Sequence, residues 1–226
     1  MRVSQKDWMR YVERLSAINQ KAADEIQKYI DRYGFDDIDA IIRYAYALTT
    51  KYGEASSALA CQMYDAMAEL EDANVDPAEP ADTATFSDVA KNINGALKTS
   101  LKIIAPVVGR LVKQAGQDTV LKNAKRDQAY FAWITVGDTC PYCMSIAAEG
   151  WKRASSDTIG SHAEHIHGNC NCSFQVKFKK DTDVSGYHPG TMKRMIEDAE
   201  GTTEREKINS IRRIQYAEEK EESTED

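Results

Sequence analysis

Cys140, Cys143, His167, Cys170 and Cys172 are the residues of this chain whose types and spacing suit a metal ion. Zinc takes four tetrahedral nitrogen or sulfur ligands, and a C-x-x-C turn supplies two thiolates from one tight loop. Cys140-Pro141-Tyr142-Cys143 has that spacing, and the second pair must come from His162, His165, His167, Cys170 and Cys172. Cys170 with Cys172 gives an all-thiolate site. His167 with either cysteine gives three thiolates and an imidazole. Alternate residues of an extended strand share a face, so Cys170 and Cys172 can reach one metal together only where that stretch is regular. The favoured set is three thiolates plus His167, with the remaining thiol beside the metal. Four filled positions close the coordination sphere, so the expected site is structural: one Zn2+ per chain and no catalytic residue. The plain alternative is a set of buried cysteines without metal.

Three enzymatic readings draw on the same residues. Thr139-Cys140-Pro141-Tyr142-Cys143 looks like a thiol redox site, but that fold needs a downstream cis-proline loop and further βαβ units. The only proline beyond Pro141 is Pro189, in Tyr187-His188-Pro189-Gly190. His162-Ala163-Glu164 with a C-x-x-C shares parts with the zinc deaminases, in the reverse order. A metal-dependent hydrolase needs an open position and a base, for which Glu164 is the candidate. All three rank below a structural zinc.

The elements that must position these residues follow from periodicity. Tyr130 to Val136 is rich in β-branched and aromatic residues, and Phe174 to Phe178 alternates apolar and polar, so a short strand is expected on each side of the cluster. Before them the sequence is helical. Trp8, Tyr11, Val12, Leu15, Ile18, Ala22, Ile26 and Ile30 form one stripe, with Gly34 as its C-cap. A second stripe runs from Ile38 to Leu70, interrupted at Gly53, as one bent helix or two short ones. A third begins near Ser87 and Asp88 as candidate caps, should kink or divide at Pro106, and closes at Gly116, with Asp118 capping a short helix to Arg126. The expected fold is mainly α. It divides into a helical region 1–73, a linker 74–85, a helical segment 86–129, a zinc-stapled α+β module 130–180 and an acidic helical tail 181–226.

Composition narrows the class. With 42% hydrophobic and 29% charged residues, the 226-residue chain can build a core. No run of 18 apolar residues occurs, so no membrane partner is expected. Met1-Arg2-Val3-Ser4 opens without an apolar stretch, and the clustered cysteines then point to a metal site in a reducing compartment. The net charge of −7 hides a basic block. Residues 91–130 carry 8 Lys and Arg against 2 Asp and Glu, a local +6. A solvated helix face is the expected reading, and Lys98, Lys102, Arg110 and Lys113 are the residues through which any DNA contact would run. DNA contact through it should be weak. Cys61 reads as a small buried hydrophobe, His188 as a loop residue, and Trp151 as packing over the metal loops.

A strand followed by Asp138-Thr139-Cys140-Pro141-Tyr142-Cys143, then Gly150-Trp151, then His167-Gly168-Asn169-Cys170-Asn171-Cys172 before another strand resembles the minor head proteins of the phage Mu F type. Lys51 to Asp65 is also similar to the N-terminal helical region of minor capsid proteins of tailed phages. The resemblance covers residues 130–178 well and 45–70 loosely. The usual H-P-x-C-x-C lacks its proline here. The resemblance implies a minor capsid protein of the virion, made in the bacterial cytoplasm and present in multiple copies in the head. Its implied partners are the portal protein or the major capsid protein, during head morphogenesis. No enzyme activity is carried over. A C-x-x-C redox or metal-dependent enzyme and a zinc-binding adaptor are the alternatives.

Overall fold

The computed structural model describes residues 2–3, 5–135, 140–159, 172–184 and 187–222. The chain is mostly helical with a small three-stranded sheet, as expected for a mainly α protein. Helix α1 (Gln5–Tyr33) buries Trp8, Val12, Leu15, Ala22, Ile26 and Ile30 along one stripe. It stops where Gly34 takes a positive φ of 72° and donates its N–H to the Ile30 carbonyl at 2.8 Å. Helix α2 (Ile38–Leu70) starts at Asp37, whose carboxylate accepts the Ala40 N–H at 2.8 Å. It runs unbroken through Gly53, where a Cβ would meet the Thr83 methyl at 2.8 Å. The glycine there permits close approach of another segment and does not break the helix.

Two expectations for the third stripe need correction. The N-cap of α3 (Phe86–Thr99) is Thr85, in a reciprocal capping box with Asp88, and not Ser87 or Asp88. The stripe does divide, at Ser100 and a 3-10 turn over Leu101–Ile103, so Pro106 falls in the first turn of α4 (Ile104–Arg126), where a helix needs no donor. Gly116 does not close α4, and no new helix starts at Asp118. The helix continues because Gly116 lies against α2: a Cβ there would be 2.4 Å from the Ser56 hydroxyl oxygen.

Helix α4 packs on α1, α2 and α3, and so is buried on nearly every side. The expectation of a wet basic face holds for most of the block and fails at Lys113 and Arg110. Lys113 is only 2% exposed, its ammonium 5.8 Å from the centre of the Trp133 ring. Arg110 is half-buried and donates to the Asn92 side chain. Lys98 and Lys102 are exposed, as are Lys122, Lys125 and Arg126.

Residues 74–85 contain no helix or strand before Phe86, as a linker should, yet they lie as a strap along α4. Asn123 accepts the Glu79 N–H at 2.9 Å and donates to the Glu79 carbonyl at 2.8 Å. Thr119 accepts from the Ala81 N–H, and Arg126 donates to the carbonyls of Asp76 and Pro77. Polar side chains of an enclosed helix thus find backbone partners in a segment that forms no helix or strand before Phe86.

The sheet has the order β3-β2-β4, built from β2 (Tyr130–Ile134), β3 (Lys152–Arg153) and β4 (Ser173–Lys177), with both pairings antiparallel. A second pair joins β1 (Arg2–Val3) in parallel to β5 (Asp183–Val184). Helices α5 (Pro141–Ala148) and α6 (Ser156–Ile159) lie between the strands. The tail forms α7 (Pro189–Asp198) and α8 (Glu204–Glu222), both packed on α5. Two hydrophobic clusters fill the interior. One joins α1, α2, α3 and the first half of α4. The other runs from Trp8, Tyr64 and Val120 to Phe131, Trp133 and Phe174, so packing is continuous across the expected border at residue 130.

Candidate metal centre

The chain leaves β2 at Ile134 and enters α5 at Pro141, and Cys140 is the N-cap of that helix. Its backbone is extended (φ −60°, ψ 146°), and its Sγ accepts the Cys143 N–H at 3.4 Å. Proline follows at the first helical position, where its fixed φ suits the helix and its missing N–H is not needed. The C-x-x-C is therefore a helix start, with one thiol at the cap and the other one turn along. Cys143 is 1% exposed and Cys140 half-buried. Donors at a helix N-terminus favour sulfur carrying negative charge, the form in which cysteine binds a metal.

Cys172 lies immediately before β4 and is also 1% exposed. Ile134 pairs with Ser173, so the chain leaves β2 towards Cys140 at the same end of the sheet where Cys172 enters β4. Cys143 and Cys172 belong to one hydrophobic cluster, with Cys140 packed against it. Gln117 on α4 fixes that strand end. Its Nε2 donates to the Ser173 Oγ at 2.8 Å, and its Oε1 accepts the Phe174 N–H at 2.8 Å. Phe174 sits edge-on to Trp133, with ring centres 4.7 Å apart.

The far end of α5 is held as firmly. Tyr187 donates its hydroxyl to the Ala147 carbonyl at 2.6 Å, and burial pushes its phenol pKa up. Burial, then the neighbouring thiols of Cys143 and Cys140, also raise that of Tyr142. Trp151 packs edge-on to Tyr187 at 5.8 Å, with the Lys177 ammonium 4.8 Å from its ring centre. Lys177 donates to the carbonyls of Lys180 and Thr182.

The remaining candidates, His162, Glu164, His165, His167 and Cys170, lie outside the described residues. Among the described residues, no three His, Cys, Asp or Glu side chains gather into a metal-holding group. Two of the expected ligands thus share one helix turn, and a third enters at the same sheet end. Cys61 is half-buried on α2, and His188 precedes α7 in the loop position expected of it.

Sequence reasoning missed Gln117 and Glu71, and it did not foresee that Lys113 is buried. Glu71 is 3% exposed and caps the turn after β4: its Oε2 accepts from the N–H groups of Phe178 and Lys179 and from the Thr182 hydroxyl. A signal for the α4 residues exists in hindsight. Ala105, Gly109, Ala115, Gly116 and Ala124 crowd small residues onto several faces of one helix, which suits an enclosed position where polar groups need partners.

A family model described as VG15 protein matches residues 2–199. The chain belongs to the VG15 protein family. The match takes in every described element from β1 to α7 and both ends of the cysteine cluster. The family places the chain among viral, phage-type gene products. The comparisons with curated proteins and with solved structures give no match. No helix among the described residues is long and apolar enough to cross a membrane.

Proposed function

We propose that this member of the VG15 family is a minor head protein of a phage, a non-enzymatic virion component that docks on the portal or the inner capsid. The family match over residues 2–199 carries the proposal, because it sets a viral context for a chain bearing a C-x-x-C and a C-x-C. The cysteine pattern adds the likeness to the Mu F type. Cys140 and Cys143 would hold zinc with two of His167, Cys170 and Cys172, and Cys172 already stands at the sheet end nearest the C-x-x-C turn. Zinc would supply a cross-link between α5 and the start of β4 in a small sheet that buries little surface by itself. The virion itself provides the test. Purified particles should contain the chain, and recombinant protein should co-sediment with portal rings. Absence from particles together with no binding to portal or head would remove the assignment.

One observation favours a second reading. A cysteine capping a helix N-terminus, followed by Pro-Tyr-Cys, is also how a thiol redox enzyme presents its nucleophile. A glutathione-coupled reduction assay separates the two, since turnover abolished by Cys140→Ser would favour the enzyme.

A further inference from the structure

Helix α8 is covered along only part of its length. Its first half rests on α5 and α7: Ser210 is 3% exposed, Ile208 and Ile211 are half-buried, and Lys207 donates its ammonium to the Glu197 carbonyl. Residues three and four apart share a helix face, so the stripe through Lys207, Ser210 and Ile211 continues to Ile214. Ile214 is nevertheless 56% exposed. The packed stripe thus runs one turn past its cover. A stray apolar side chain on a surface needs no explanation, so the charges beside it must decide what this one meets.

Those charges are divided along the helix. Residues 207–213 hold Lys207, Arg212 and Arg213 and no acid, whereas residues 214–222 hold four glutamates against Lys220. Both arginines are exposed. The order runs against the helix dipole, whose C-terminal end favours cations and here carries Glu219, Glu221 and Glu222. A uniformly acidic or uniformly basic partner meets repulsion at one end of such a helix. A second α8 laid antiparallel meets attraction at both ends, and one laid parallel meets like charge throughout. A two-fold axis across the helices generates the antiparallel arrangement, with one patch facing its own copy.

We propose that α8 is a self-association element: two copies of the chain pair through antiparallel α8 helices, Ile214 lies at the centre of the contact, and the basic half of each helix runs along the acidic half of its partner's. Helix α8 lies beyond residues 2–199, which the family model matches, and the pairing is independent of the zinc site and of the phage reading. Two helices of this length bury less than the roughly 1,200 Å² of a standard interface, so the association is weak and depends on concentration.

Sedimentation of the full-length chain tests this. The mass should rise from 25.3 kDa towards twice that value between micromolar and submillimolar concentration, and rise less at high salt. Ile214→Asp should weaken the association at least about tenfold, while Tm in dilute solution stays unchanged because the side chain is exposed in the single chain. One variant carries Arg212→Glu and Arg213→Glu, and a second carries Glu218→Lys, Glu219→Lys, Glu221→Lys and Glu222→Lys. Each alone should be monomeric, and an equimolar mixture of the two should restore the dimer. Four results would each overturn the proposal: a wild type monomeric at every concentration, undiminished association of Ile214→Asp, a mixture that stays monomeric, or a lower dilute Tm in Ile214→Asp. A monomeric wild type that loses portal co-sedimentation through Ile214→Asp would overturn it as well, by assigning the face to the portal.

Discussion

The carboxamide of Gln117 donates to the Ser173 hydroxyl at 2.8 Å and so ties the most enclosed helix to the strand that begins one residue after Cys172. Through its other atom Gln117 accepts the Phe174 N–H, which closes part of the free edge of β4. One buried side chain therefore helps set where the chain enters the sheet after Cys172.

Gln117→Leu should lower stability by about 2–4 kcal/mol, because the Ser173 hydroxyl and the Phe174 N–H both lose a buried partner. Urea denaturation at neutral pH measures this. If zinc binds as proposed, affinity should also fall by roughly tenfold or more, as for groups that orient metal ligands. A loss of stability under about 0.5 kcal/mol would show that the two bonds hold little.

Two glycine substitutions should act in opposite directions. Gly116→Ala should destabilise by about 1–3 kcal/mol, since its Cβ would sit 2.4 Å from the Ser56 Oγ and 3.2 Å from the Ser56 carbonyl oxygen. Gly95→Ala, on the exposed face of α3 with nothing within 4 Å of its Cβ, should stabilise by about 0.5–1 kcal/mol. Paired thermal melts decide both, and a gain from Gly116→Ala would contradict the tight α2–α4 contact.

Asp127 makes part of the stability pH-dependent. Burial opposes its ionisation, but hydrogen bonds from Arg126 and Tyr64 outweigh this and hold its carboxyl below the ordinary value. Its contribution is therefore full above the unfolded value of about 3.9 and is lost as pH falls through the lower folded value. Asp127→Asn should cost about 1–2 kcal/mol at pH 7, with the difference from wild type shrinking below about pH 4. Melting curves across pH 2.5–7 would show it, and a difference constant down to the lowest pH would contradict the ionic origin.

The basic block can be tested now that its residues are placed. Reversing Lys91, Lys98 and Lys102, all exposed, should leave Tm within about a degree or two while removing any salt-sensitive DNA contact. Lys113→Glu should instead unfold the chain or lower its stability by more than about 3 kcal/mol, because it places an unpaired charge beside Trp133 in the core. Portal association through apolar docking should survive both high salt and the triple reversal.

Much of this was legible in the sequence, for identifiable reasons. The α1 stripe and its Gly34 cap, the strands at Tyr130 and Phe174, and the break near Pro106 are local signals, and each has a counterpart in the structure. The long α4 was not legible, because an amphipathic stripe presumes one wet face and α4 has almost none. Gly116 then reads as a stop, although it marks a close approach to Ser56. At the candidate site, the C-x-x-C after a strand is likewise local. Gln117 acts 56 residues away along the chain, and periodicity carries no sign of such a contact.

The central claim is that the cysteine cluster is a structural zinc site. Elemental analysis of the purified native chain, dialysed against metal-free buffer, tests it most directly. The account predicts one zinc per chain, with Cys140, Cys143 and Cys172 resisting alkylation until the metal is chelated, after which protection from hydrogen exchange falls first in residues 130–177. Zinc near zero, with those three cysteines no more resistant before chelation than after it, would contradict the account.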